Sequence, residues 1–372
     1  MQPQTSTTGS RAPAREAPGI RPIPLSRAAR LIPFIEFMRE RRFPVYRHLK
    51  ECGVPTSLSD YPDSYVSTQS SWAFVSRSAR EAGVDDLGLR VSRRSIQEIM
   101  GPAILGIPLR SPTLLAGIRS FANLCGNESS GMSAGVSLQA KTALFHLQKP
   151  FGAETPGFTQ TEWRDLMSMI ELVRFYAGKS WTPDVVSRKS PKAIPRLAYR
   201  IFPNTRFLTG QRLTLLGFPD KLLRNGPSEY GTRVGARLDS DTEDRRPRGP
   251  ARSFEGSLRQ IIQSHLPDGY PSLRLVAAIA GTSPRTLQRR LAEVGTRYSA
   301  LVQESRIGVA VQLLKDTDAS LLEISLKVGY EDSSHFARAF RRSMGTCPRD
   351  YRIQRRAILQ ASVDSQAACA SM

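Results

Sequence analysis

Two stretches near the C-terminal end, VAAIAGTSPRTLQRRLAEVG (276–295) and ISLKVGYEDSSHFARAFRRSMG (324–345), repeat one pattern about fifty residues apart. Each opens with a short, helically spaced apolar run that stops at a glycine and passes through a polar turn. Each then resumes as a helix with two apolar anchors and an arginine-rich face. Val276 aligns with Ile324, Ala277 with Ser325, Ala280 with Val328 and Gly281 with Gly329 at a constant offset. The second turn carries one extra residue, after which Leu287 aligns with Phe336 and Leu291 with Phe340. An insertion is cheap in a loop, whereas inside a helix it would rotate the apolar face off the core. The pattern predicts two helix-turn-helix units.

Local chemistry supports the boundaries. Gly281 and Gly329 can take the left-handed backbone that ends a helix and reverses the chain. Ser283 fits the N-cap with Pro284 at the first helical position, and Asp332 or Ser333 can cap the second copy. The anchors are four residues apart and so share one inward face. The outward face of the first copy presents Arg285, Gln288 and Arg289, with Arg290 beside them. The second presents Ser333, Ser334, Ala337 and Arg338, with Arg341 and Arg342 one turn on. Forked Arg and Gln side chains match guanine and adenine edges in the major groove, while Ser and marginal Arg more often meet phosphates. A single arginine-rich amphipathic helix is ordinarily just a solvated face. Two copies with matched anchors and turns favour a nucleic-acid partner.

The segment 298–315 between the copies lacks proline and repeats Val302, Val309, Leu313 and Leu314 at helical spacing. Its ~18 residues at 1.5 Å rise give a rod of roughly 27 Å. Successive major-groove turns on one face of DNA lie about 34 Å apart, so one chain can fill two adjacent segments. Arg306 on this rod reads as a structural partner rather than a reader, and Pro348 and Tyr351 as packing for the last turn.

These residues carry a resemblance to the AraC/XylS family of bacterial transcription regulators over about residues 257–356. The most specific stretch comprises Ala319, Ile324, Val328, Gly329, Tyr330, Ser334, His335, Phe336, Arg338, Phe340, Arg341, Gly345, Pro348, Tyr351 and Arg352; PRTLQRRL in the first copy is equally typical. The resemblance implies an all-α DNA-binding domain with two helix-turn-helix motifs joined by a rigid central helix. It also implies that Arg285, Gln288 and Arg289 meet bases, and that the region of Ser333, Ser334 and Arg338 meets bases or phosphates. His335 has no second His, Cys or carboxylate placed to complete a metal or catalytic site, so a structural or phosphate-facing role is expected.

Upstream, an α+β domain is expected over 31–225. Helices are predicted over 30–52 (limited by Pro33 and Pro44), 70–82, 111–125 and 162–178. A strand is predicted over 136–148, and extended chain over 185–187 and 206–216. Gly88-Leu89-Arg90, the run Ser111-Pro112-Thr113-Leu114, and Trp181 with Pro183 resemble the effector-binding domain of the family branch named for arabinose binding, which includes ornithine-responsive regulators. By that resemblance the domain binds a small molecule or mediates self-association. No pocket residue is singled out: Trp72, Phe74, Trp163, Tyr176 and Trp181 read as core, and His48 and His146 as core or surface. Residues 1–30, rich in Ser, Thr, Pro, Ala and Arg, read as a disordered basic tail. Residues 226–256 read as a flexible linker tethering independently folded parts, and 357–372 as a C-terminal tail.

The net charge of +20 over 372 residues favours an anionic partner but is spread along the chain. No apolar run approaches a membrane span. Cys52, Cys125, Cys347 and Cys369 show neither pairing nor metal-ligand spacing and read as reduced thiols. The expected protein is thus a cytoplasmic, non-enzymatic regulator without cofactor or metal. Its partners are promoter DNA, a small-molecule effector, RNA polymerase and a second copy of itself; whether it activates or represses is left open. Two alternatives stand beside it: a ligand-independent architectural DNA-binding protein, and a DNA-repair enzyme fused to such a reader. The enzyme would need a reactive cysteine site or a four-cysteine zinc cluster, and the N-terminal region offers only Cys52 and Cys125, far apart.

Overall fold

The computed structural model describes residues 20–92, 106, 108, 110–236, 249–355 and 357. The N-terminal part is α+β and the C-terminal part is helical. The chain enters through strand β1 (Leu25–Arg27), then α1 (Ile32–Glu40), α2 (Val45–Glu51), β2 (Tyr65–Ser67), α3 (Thr68–Glu81) and α4 (Leu87–Val91). The single helix expected over 30–52 is two, because Pro44 sits at the N-cap of α2 and its ring cannot continue α1. After α5 (Leu114–Glu128) come β3 (Ser133–Gln139) and β4 (Thr142–Gln148), followed by α6 (Phe158–Ala177), β5 (Val185–Ser187), α7 (Arg196–Ile201), β6 (Arg206–Leu208), β7 (Thr214–Pro219) and α8 (Glu229–Gly235). The strand expected over 136–148 is a hairpin. Its turn runs through Ala140 at φ 51, a left-handed residue that carries no glycine or asparagine signal. The extended stretch 206–216 is likewise divided between β6 and β7.

The five strands order as β3-β4-β7-β5-β6, antiparallel except for β5 and β6, with Phe145 opposite Leu216 and Val186 opposite both Leu216 and Phe207. Helix α6 packs against this sheet, burying Trp163, Leu166, Ile170, Val173 and Tyr176 with Phe145, Leu216 and Phe218. Its other side is also covered, since α3 and α4 lie against it. A Cβ on Gly88 would fall 1.8 Å from the Gln160 carbonyl oxygen, so only glycine permits this approach. Gln160 seals the contact, accepting from Gly88 N at 2.8 Å and donating to Asp85 O at 2.8 Å.

Because α6 is enclosed, its charged residues are neutralised inside. Asp165 meets Arg30 at 2.6 Å and Lys149 at 2.7 Å. Burial opposes its ionisation, but Lys149, Arg30 and Arg164 outweigh that and hold the carboxyl down at about 2. Glu162 accepts from Arg188 Nε at 3.1 Å, Lys189 N at 2.7 Å and Thr214 Oγ1 at 2.6 Å, joining α6 to the sheet.

The C-terminal part comprises α9 (Phe254–His265), a 3₁₀ turn (Leu266–Asp268), α10 (Leu273–Ile279), α11 (Pro284–Glu293), α12 (Tyr298–Asp316), α13 (Leu321–Lys327) and α14 (Ser333–Met344). It is not a separately folded body on a tether. Ile23, Leu25 and Tyr65 lie in the same buried cluster as Leu258, Ile261, Leu266, Ile279 and Leu287. Ile23 N donates to Ser257 Oγ at 3.0 Å, and Asp268 accepts from Thr56 N at 2.5 Å and Ser57 N at 3.1 Å.

Two expectations change as a result. Residues 20–30 of the proposed tail are folded in, because Ile23, Leu25 and Ala28 are buried; residues 1–19 lie outside the description. Within the proposed linker, 229–235 form α8, whose Gly231 packs on the Phe175 carbonyl oxygen, and α9 begins at Phe254; 237–248 lie outside the description. Of the proposed C-terminal tail, only residue 357 is described.

Arg306, on α12, binds the second motif to the first. Its guanidinium donates to Gly329 O at 2.5 Å and lies over Tyr330 at 4.4 Å and Tyr270 at 5.2 Å. Tyr351 closes the far end, edge-on to Phe340, and Pro348 is buried.

Leu25→Ala is expected to lower stability by about 2–5 kcal/mol, measured by urea unfolding; an unchanged midpoint would remove Leu25 from the shared core. Arg306→Ala is expected to cost about 1.5–3 kcal/mol, the range for hydrogen bonds to a charged group. Arg306→Lys should restore little of it, because an ammonium lacks the planar fork. Thermal melts of the two variants that matched the wild type would refute this.

Candidate nucleic-acid interface

Both second helices form as their caps require. Ser283 Oγ accepts from Thr286 N at 3.1 Å with Pro284 at the first helical position. In the second copy Asp332, not Ser333, is the cap, and its carboxylate accepts from both Ser334 N and His335 N at 2.8 Å. Those donors hold Asp332 below the usual carboxylate range. Gly281 and Gly329 adopt φ of 62° and 77°, the left-handed turns the repeat demands. The anchors are fully inside: Leu287, Leu291, Phe336 and Phe340 each have no exposed surface.

With the anchors inward, the other faces are presented outward. Arg285, Gln288 and Arg289 are exposed together on α11. Arg289 is held only loosely, 3.7 Å from Glu293, with its own side chain largely in solvent and that of Glu293 about half exposed. Arg290 does not join them; it is half-buried, its guanidinium 5.7 Å from the centroid of the Phe254 ring on α9. On α14, Ser334, His335, Arg338, Arg341 and Arg342 are exposed and Ser333 is half-buried. His335 Nδ1 lies 3.2 Å from Asp332 Oδ2, so the histidine leans on the helix cap. Sequence patterning did not reveal that lean; the i, i+3 spacing of Asp332 and His335 was its only trace.

α12 separates the two faces with 19 residues, a length of about 28 Å at helical rise. The paired arginine faces can neutralise phosphates, and the forked side chains can reach base edges. Among the described residues no group of three or more His, Cys, Asp or Glu is placed to hold a metal ion, and no helix is long and apolar enough to cross a membrane.

Residues 43–226 match the arabinose-binding domain of AraC transcription regulators, and residues 276–354 match a helix-turn-helix domain. The chain is 25% identical over 332 residues to the HTH-type transcriptional regulator VirS of Mycobacterium tuberculosis, covering 88% of this chain and 96% of that protein. It is 42% identical over 100 residues to the ornithine utilization regulator of Pseudomonas aeruginosa, covering 26% of this chain and 30% of the relative. Among solved structures, the transcriptional regulator CdpR from Pseudomonas aeruginosa aligns with a TM-score of 0.36 at 20% identity, over 87% of this chain and 98% of that one. The chain belongs to the AraC/XylS family of DNA-binding transcription regulators, with an arabinose-binding-type effector domain ahead of its two helix-turn-helix motifs.

Proposed function

We propose that α11 and α14 enter successive major-groove segments of one promoter, with Arg285, Gln288 and Arg289 reading bases. In this reading Ser333, Ser334, His335, Arg338, Arg341 and Arg342 fix the register through phosphates, with Arg338 able to reach a base. Arg290 contributes by steadying α11 against Phe254. The observation that carries the reading is the pair of capped, arginine-faced helices with fully buried anchors, held at either side of one uninterrupted helix. The protein acts in the cytoplasm by binding rather than by a catalytic step. A small molecule bound by the N-terminal domain alters how the reader helices engage DNA. RNA polymerase and a second copy of the chain complete the assembly at the promoter.

The docking of the two parts supports that coupling. β1 and the loop bearing Thr56 and Ser57 contact the first motif directly, so a shift in the N-terminal domain has a packed path to α9 and α10. Binding of an effector with different affinity for two such arrangements would shift their populations.

Footprinting and affinity measurements on the DNA upstream of the gene test the reader assignment. Arg289→Ala and Gln288→Ala are expected each to cost about 1–3 kcal/mol and to relax base preference at a particular position. Arg342→Ala should weaken all sequences alike and reduce the salt slope by about one. An Arg289→Ala protein with unchanged affinity and base preference would overturn the role of α11. A footprint that no metabolite alters would favour the architectural alternative.

A further inference from the structure

Three helices of the effector domain, α1, α4 and α7, converge on an open cleft of about 660 Å³ that sequence patterning did not reveal. That size lies within the roughly 300–1,000 Å³ typical of small-molecule sites. Among the described residues its charges do not balance: Arg41, Arg90, Arg196 and Arg200 face Glu40 and Asp86. Asp86 is already engaged, bound by Arg90 Nε at 2.5 Å. Arg41 is held at the end of α1, over the Phe37 ring at 3.5 Å and 3.9 Å from Glu40. Arg196 and Arg200, four apart on α7 and therefore on one face, have no hydrogen bond or ion pair with any other described residue.

Two forked cations without a counter-charge, set in a concavity, match the paired oxygens of a carboxylate or phosphate. Leu197 on the same wall offers apolar contact to a carbon skeleton, while the Phe37 ring backs Arg41. A diamine or other cation would add repulsion to the existing excess.

We propose that this cleft binds a small organic anion carrying two negative charges, either a dicarboxylate or a phosphate ester, and that this anion is the effector. The second clause rests on the effector-responsive reading above. The site is also placed to report its occupancy. Arg41 lies just past the nine-residue α1, and a short turn joins the start of that helix to β1, the strand buried in the core of the first motif. An anion drawing Arg41 toward Arg196 and Arg200 pulls on the element that docks the two parts together.

The full chain is titrated calorimetrically at fixed ionic strength with succinate, glucose 6-phosphate, putrescine and arabinose. Succinate, glucose 6-phosphate or both should bind saturably with one site per chain, and putrescine and arabinose should not. Succinate alone identifies a dicarboxylate site, and the sugar phosphate alone a phosphate-ester site. The Arg196→Ala/Arg200→Ala double variant should weaken the binding by roughly tenfold or more. Its ligand-free melting temperature should be unchanged, because both side chains are exposed. If neither anion binds saturably, or the double variant binds as tightly as the wild type, the site is refuted. Footprinting of both proteins separates the two clauses. Anion binding that leaves the footprint unmoved refutes the effector clause alone; a metabolite response identical in wild type and double variant refutes the cleft as the effector site while sparing effector control.

Discussion

The three-residue strand β1 lies at the junction of two cores, and the arrangement of the molecule depends on that. Its apolar side belongs to the DNA-binding part, where Leu25, with Ile23 just ahead of the strand, is buried among Leu258, Ile261 and Leu287. Its charged end belongs to the effector domain, where Arg27 pairs with Glu128 at 2.7 Å and Arg30, in the turn that follows, with Asp165 at 2.6 Å. Each buried aliphatic side chain contributes about 1.5–3 kcal/mol. Separating a buried ion pair from one side costs about 3–5 kcal/mol, because the remaining charge is left uncompensated. Leaving the first motif would expose Ile23 and Leu25; leaving the effector domain would take Arg27 from Glu128, and would leave Asp165 with Lys149 but without Arg30. The two parts are therefore fastened by complementary means, one apolar and one ionic.

A second joint extends that fastening to the other motif. The 3₁₀ turn after α9 supplies Asp268 to the effector domain, and its Leu266 carbonyl oxygen would lie 3.0 Å from a Cβ on Gly329. Gly329 is also the residue to which Arg306 donates. The turn that positions α14 is thus enclosed by the first motif and by the central helix; its backbone angle calls for glycine, and the space around it is tight.

Legibility in the sequence followed the range of the interactions. The repeat was readable because caps, turns and anchors are local: Ser283, Pro284, Gly281, Leu287 and Leu291 all act within one or two helical turns. The segment around β1 was not, because three residues have no period, and PIPLSR looks like tail until Ser257 and Leu258 are brought beside it. α8 was hidden for a related reason, since its hold is a tertiary one, Gly231 on the Phe175 carbonyl and Tyr230 stacked on Phe175. On α6 the apolar stripe was visible, but the burial of Glu162, Arg164 and Asp165 was not; that depends on partners as remote as Arg30 and Arg188. The cleft was invisible because its arginines come from three separated segments, each unremarkable alone.

The charge excess of +20 becomes informative only when sorted by partner. Arg27, Arg30, Lys149 and Arg188 are paired with carboxylates inside the effector domain, and their energy is already committed to the fold. Arg306 and Arg352 are committed too, each donating to a backbone carbonyl, of Gly329 and Ala319. The arginines of α14 and of α7 differ in kind: they are exposed, and no carboxylate is placed to neutralise Arg341, Arg342, Arg196 or Arg200 among the described residues. Shape then separates these two groups. A row on a convex helix face suits an extended polyanion whose counterions are released on contact. A pair inside a concave cleft suits a small anion that both guanidinium groups can grip. One excess of charge thus divides by shape into a convex row and a concave pair, each suited to a different class of anion.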